Sequence, residues 1–102
     1  MHILKVNQAK TLWQKVIGLI GSTKPYSLFF KTRWGIHTFG MRFPLDILIL
    51  DERQCAVKLK ESLKPNHVFF WNPRFNQVAE LPENTIHKRK IQVGEKIKLQ
   101  FQ

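Results

Sequence analysis

The stretch Ile36 to Asp51, IHTFGMRFPLDILILD, decides how this chain is read. A polar arm ends at Gly40, Pro44 punctuates the next turn, and Leu45 to Leu50 is then apolar at both alternating positions except at Asp46. A strand that is apolar on both faces is buried on both, so this pattern marks an interior strand. An aspartate in such a strand is costly unless it is paired or hydrogen-bonded, so Asp46 requires a partner. Arg42 is the closest basic candidate, Lys31 and Arg33 are others, and the backbone N–H groups of the Gly40 to Pro44 loop are the uncharged alternative.

Working outward, Ser27 to Lys31 and Ile36 to Phe39 read as two strands joined by Thr32-Arg33-Trp34-Gly35 in a hairpin. His2 to Val6 reads as a first strand, and Leu12, Trp13, Val16, Ile17 and Ile20 then recur at helical spacing. That predicts an amphipathic helix capped by Asn7 and ended by Gly21. On the other side, Asp51 to Gln54 is a polar turn into Cys55 to Lys60, with Val57 and Leu59 inward and Lys58 and Lys60 outward, a second hairpin. Lys64 to Asn76, punctuated by Pro65 and Pro73, reads as a loop. Gln77 to Leu81 returns to a strand, Pro82 to Lys90 suits a short helical turn, and Lys96 to Phe101 closes the chain with Ile97, Leu99 and Phe101 inward. The expected fold class is α+β: a small, mostly antiparallel bent sheet or barrel with one amphipathic N-terminal helix. Residues 1–102 form a single domain in this reading, since no repeat, linker or low-complexity tract interrupts them.

The quoted stretch resembles the signature of the domain of unknown function 192 family, small bacterial and archaeal proteins. Gly18-Leu19, Glu80 to Thr85 (ELPENT) and Val93-Gly94-Glu95 match as well, so the resemblance covers most of the chain. It implies a fold and supports the bent sheet, but it brings no activity, because the family is named for lacking one. Asn84 stands where the resemblance leads one to expect glycine. Asparagine tolerates the left-handed backbone region better than other non-glycine residues, so the turn is expected to survive. Some relatives carry export signals, whereas MHILKVNQAK lacks the apolar core and cleavage site of one.

Composition narrows the partner. The chain holds 17 Lys and Arg against 7 Asp and Glu, a formal charge of +10. All of Met1 to Leu45 contains basic residues (Lys5, Lys10, Lys15, Lys24, Lys31, Arg33, Arg42) and no acidic one. Such asymmetry favours an anionic partner: nucleic acid, an acidic lipid surface or an acidic protein. The single cysteine, Cys55, has no intramolecular mate and reads as a plain thiol, which points to the cytoplasm. No apolar run approaches the ~20 residues that span a bilayer.

Sites for chemistry are sparse. Four scattered histidines and one cysteine have no metal-ligand spacing, and neither phosphate-loop nor dinucleotide motif occurs, so no metal, cofactor or catalytic residue is assigned. His37, Thr38 and Asp46 are the polar trio of the signature, but residues 37 and 38 point to opposite faces of a regular strand. Structural roles are the better reading for Thr38 and Asp46. The aromatic run His67 to Phe75 sets Phe69, Phe70, Trp71 and Phe75 beside His67 and Arg74. Such rings suit single-stranded bases, each stack being worth ~1–3 kcal/mol, or else fold back as a lid, with at least two of them buried.

The function read from these residues is a non-catalytic binding domain for an anionic partner, with single-stranded nucleic acid as its sharpest form. Arg33, Trp34, Arg42, Trp71 and Arg74 would carry it. The alternative is a small-molecule site or enzyme pocket lined by His37, Thr38, Met41 and Asp46. A third reading is an accessory protein docking on an acidic partner.

Overall fold

The strand Leu45–Leu50 is the spine of the molecule, and all six of its residues are buried. The computed structural model describes residues 2–8, 27–33 and 35–102. In chain order these form β1 (His2–Gln8), β2 (Leu28–Lys31), β3 (Gly35–His37), β4 (Leu45–Leu50), β5 (Ala56–Leu63), β6 (Val68–Phe70), β7 (Gln77–Pro82), α1 (Thr85–Arg89) and β8 (Ile97–Phe101). Six strands make one sheet in the order β5-β4-β7-β2-β1-β8, while β3 and β6 pair separately as a two-stranded ribbon. The pairs β5–β4, β4–β7 and β7–β2 are antiparallel, and β1 runs parallel to both β2 and β8. The sheet curls until its two outer strands touch at one corner. There Cys55 bridges Lys96, the Ala56 N–H donates to the Glu95 carbonyl at 2.9 Å and the Ile97 N–H to the Gln54 carbonyl at 2.8 Å. The result is a half-barrel.

Both faces of β4 are covered, which is why its sequence shows no polar alternation. Leu48 and Leu50 pack with Leu4, Phe29, Leu81 and Ile97 beneath Ile86 of α1. Leu45, Ile47 and Ile49 pack on the opposite face with Phe30 and Val78, beneath Ile36, Trp71 and Phe69 of the ribbon and its flank.

Four expectations are corrected. The class is not α+β: the described residues are nearly all sheet, and their sole helix is the five-residue α1. The helix expected over Leu12 to Ile20, with its end at Gly21, lies outside the described residues. Its expected cap, Asn7, continues β1 instead, where its N–H and its Nδ2 both donate to the Ser27 carbonyl, at 3.0 and 3.2 Å.

Second, the strands on either side of Thr32 to Gly35 do not form a hairpin. Three consecutive buried residues, Leu28, Phe29 and Phe30, place β2 between β7 and β1, and β3 departs to pair with β6. Third, the segment read as a loop from Lys64 to Asn76 therefore contains a strand. Fourth, Phe101 is 51% exposed at the end of β8, edge-on to Phe29 at 5.5 Å, rather than inward.

The β4–β5 hairpin forms, with irregularities that matter. Val57 is an extra residue between the pairs Leu50↔Ala56 and Ile49↔Lys58, so Val57 and Leu59 join opposite clusters instead of one. A second bulge sets Glu61 and Ser62 across from Asp46, between Leu45↔Leu63 and Ile47↔Lys60, and Ser62 takes a φ of 53°. Asn84 adopts a φ of 73°, the left-handed turn expected of it.

Candidate functional site

The two buried polar residues of the signature hold the fold together. The bulge in β5 frees the Ser62 N–H from the ladder, and Asp46 Oδ1 accepts it at 3.0 Å. Asp46 Oδ2 accepts the Ile86 N–H at 2.9 Å. That donor lies in the first turn of α1, where no intrahelical acceptor exists, and the Asn84 side chain makes no capping bond. A strand carboxylate thus caps the helix. Arg42, Lys31, Arg33 and the Gly40 to Pro44 backbone, the partners expected for Asp46, are not the ones it has.

Thr38, buried immediately after β3, ties two turns together. Its Oγ1 donates to the Lys64 carbonyl at 2.6 Å and accepts the His67 N–H at 3.0 Å, while its carbonyl accepts the N–H groups of Met41 and Asn66, each at 3.0 Å. His37, by contrast, is exposed, and Met41 packs on the ribbon-covered face of β4, across the sheet from Asp46 and α1. His37, Thr38, Met41 and Asp46 are not brought together on one concave surface.

What the fold does assemble is an aromatic surface on the ribbon. Its register is Gly35↔Phe70, Ile36↔Phe69 and His37↔Val68. Directly opposed residues share a face, so Ile36 and Phe69 turn to the core while His37, Val68 and Phe70 turn outward. Val68 is 49% and Phe70 64% exposed, and Phe39, 51% exposed, stacks on His37 with ring centroids 5.0 Å apart. The Phe70 ring lies against Gly35, where a Cβ would fall 2.6 Å from its Cδ1, so the glycine gives the ring its seat.

Cations line one edge of the ribbon. Lys58 and Lys60 of β5 stand opposite Ile49 and Ile47, and the Lys58 Nζ donates to the Phe70 carbonyl at 2.9 Å, 4.9 Å from the Phe69 ring centroid. Beside it runs a groove of about 410 Å³ lined by Lys60, Ser62, Lys64, His67, Val68 and Phe69. A second cleft, of about 560 Å³, is lined by Arg33, Arg53 and Arg74 together with Asp51, Glu52 and Phe75.

Of the residues proposed from sequence to carry binding, Arg33 and Arg74 therefore meet in one cleft, and Arg42 is exposed on the loop before β4. Trp71 is only 6% exposed and its Nε1 donates to the Phe75 carbonyl at 2.8 Å, so its ring is packed inside rather than presented for stacking. Trp34 lies outside the described residues. Phe69 and Phe75 are half-buried against the core beside Trp71. Sequence reasoning placed Phe70 in the aromatic run but left it out of the binding set, as it did Phe39, Arg53 and the lysines of β5. A period-two reading of Val68-Phe69-Phe70-Trp71 would have separated the outward Phe70 from the inward Phe69 and Trp71.

Among the described residues no group of three or more His, Cys, Asp and Glu could hold a metal ion, and no helix is long and apolar enough to cross a membrane.

Comparison with known proteins agrees with the architecture. Residues 1–99 match the model of the domain of unknown function 192 family, described as an uncharacterized ACR. A crystal structure from Sinorhizobium meliloti 1021, of a protein provisionally assigned as a transcription regulator, superposes with a TM-score of 0.79 at 17% identity, covering 89% of this chain and 78% of that one. A protein of unknown function from Novosphingobium aromaticivorans DSM 12444 gives 0.77 at 16% identity, covering 89% and 71%. At these identities the likeness is one of fold. No curated protein matches the chain.

Proposed function

Because this chain belongs to the domain of unknown function 192 family, which carries no named activity, we propose its function from geometry: a non-catalytic binding domain that engages an anionic partner, single-stranded nucleic acid in its sharpest form. The observation that carries this reading is the outward row of Phe39, Val68 and Phe70 on a ribbon edged by Lys58, Lys60 and Lys64. Exposed rings offer bases a stacking surface, and ammonium groups beside them neutralise the phosphates between bases. An apolar patch rimmed by polar groups is otherwise a liability on a soluble surface. The pocket alternative draws less support, since Thr38 and Asp46 are sealed from solvent and bonded to backbone groups. The lone Cys55 suits a cytoplasmic location.

The test is fluorescence anisotropy of labelled single-stranded RNA and DNA titrated with the protein at several salt concentrations. Binding should weaken steeply with salt, Phe70→Ala should cost about tenfold in affinity, and Lys64→Ala should lower the salt slope by about 1. No binding at low salt, or binding indifferent to Phe70→Ala, would overturn the reading.

A further inference from the structure

We propose that the arginine cleft is a separate binding site for a phosphomonoester, an organic phosphate carrying a terminal dianion. Three segments distant in sequence build it: Arg33 leaves β2, Arg53 sits in the β4–β5 turn, and Arg74 sits in the β6–β7 connection.

Each arginine stands on backbone that is pinned in place. The Asp51 Oδ1 accepts the N–H groups of Arg53 and Cys55 at 2.8 and 2.9 Å, fixing the turn that carries Arg53. The Asn72 Oδ1 accepts the Arg74 N–H at 3.0 Å, and the Asn72 carbonyl accepts the Phe75 N–H at 3.0 Å. The Thr32 N–H donates to the Asn76 carbonyl at 2.9 Å, tying the exit of β2 to that same turn, and Arg33 Nη1 donates to the Pro73 carbonyl at 2.6 Å. Ligand-sized clefts work by such preorganisation, because little freedom is left to lose on binding.

The charges in the cleft are unmatched at short range. Asp51 and Glu52 share the lining, yet among the described residues none of the three guanidinium groups is in an ion pair. The two carboxylates also temper the long-range positive field, so a ligand here is selected by contact rather than by diffuse attraction. Planar guanidinium groups recognise oxyanions through paired N–H donors. A phosphomonoester near neutral pH carries about −1.5 to −2 charge on three acceptor oxygens, which suits a cleft lined by three arginines better than a carboxylate or a singly charged phosphodiester does. Phe75 supplies an apolar wall for the organic part.

Two sources share this chemistry, a free phosphorylated small molecule and the 5′-phosphate end of a nucleic acid chain. Neither depends on the ribbon as a stacking surface.

The experiment is isothermal titration of the full chain with a nucleoside 5′-monophosphate, the matching nucleoside, inorganic phosphate, and one oligonucleotide with either a 5′-phosphate or a 5′-hydroxyl. The Arg53 side chain makes no hydrogen bond among the described residues, so Arg53→Gln removes a charge while leaving the fold's contacts in place; circular dichroism checks this. The monophosphate and inorganic phosphate should bind where the nucleoside does not, and Arg53→Gln should weaken both on the order of tenfold. Phe70→Ala should leave them unchanged. A 5′-phosphate that tightens oligonucleotide binding in the parent but not in Arg53→Gln assigns the nucleic-acid end; equal binding of both oligonucleotides assigns the free phosphate. A monophosphate that binds no better than its nucleoside, or equally well to Arg53→Gln, overturns the proposal whatever the ribbon does.

Discussion

Strands β4 and β6 are both short and mainly apolar, yet β4 is buried at every position while Val68 and Phe70 of β6 stand out in solvent. The difference lies in their neighbours. β4 has a strand on each edge and a packed layer on each face, so each apolar side chain leaves water. Among the described residues β6 has one partner, β3, and a packed layer on one face only. The same residue types therefore serve stability in one place and offer a contact surface in the other, and side-chain chemistry alone does not distinguish them.

That contrast can be broken by substitution. The largest effect is expected from Asp46→Ala, which leaves the Ser62 and Ile86 N–H groups without their charged acceptor; denaturant unfolding should show a loss of about 3–6 kcal/mol. An unchanged midpoint would remove Asp46 from the fold's support and return it to the functional candidates. Next, Leu48→Ala in the spine should cost about 2–5 kcal/mol, whereas Phe70→Ala on the ribbon should cost under about 1 kcal/mol and act on binding instead. Equal losses in the two variants would mean that the ribbon is a second core and not a surface. Thr38→Val should cost about 1–3 kcal/mol by stranding the Lys64 carbonyl and the His67 N–H, and the loss should loosen amide exchange in the 64–67 turn.

The smallest effect is a pH dependence at the corner where the half-barrel closes. The Gln92 N–H donating to Glu95 Oε1 at 2.7 Å, with His2 Nε2 at 3.0 Å from Oε2, holds the Glu95 carboxyl below the ordinary glutamate value. A lowered folded-state pKa means that its contribution is fully present above the unfolded value of about 4.3 and is lost as pH falls through the folded one. Melting temperatures of the parent and Glu95→Gln should thus converge as the pH is lowered from 6 toward 3; a constant offset would assign the difference to packing.

Much of the fold could be read locally. The interior character of Leu45 to Leu50, the hairpin it opens and the left-handed Asn84 follow from patterns a few residues wide, and the structure carries all three. The need of Asp46 for a partner was legible too, but not the partner's identity. Its donors are backbone N–H groups of Ser62 and Ile86, one released by a bulge and one by a helix end. Any residue except proline can supply an N–H, so no letter in the sequence marks them. The aromatic run misled for a related reason. Alternation separates Phe70 from Trp71, but only the pairing of β6 with β3 says which of the two faces water.

Arg33, Arg53 and Arg74 make the same point for the site, since they belong to three segments that nothing local links. By itself the sequence determined the family, through the resemblance of its motifs, and it determined the buried spine, the need of Asp46 for a partner and the excess of positive charge, because these last three are properties of composition or short-range period. Only the tertiary structure decided that β2 and β3 part company, that Trp71 is buried while Phe70 is not, and that three arginines share a cleft. Strand partnership and convergence arise from backbone pairing between distant segments, which side-chain periodicity does not encode.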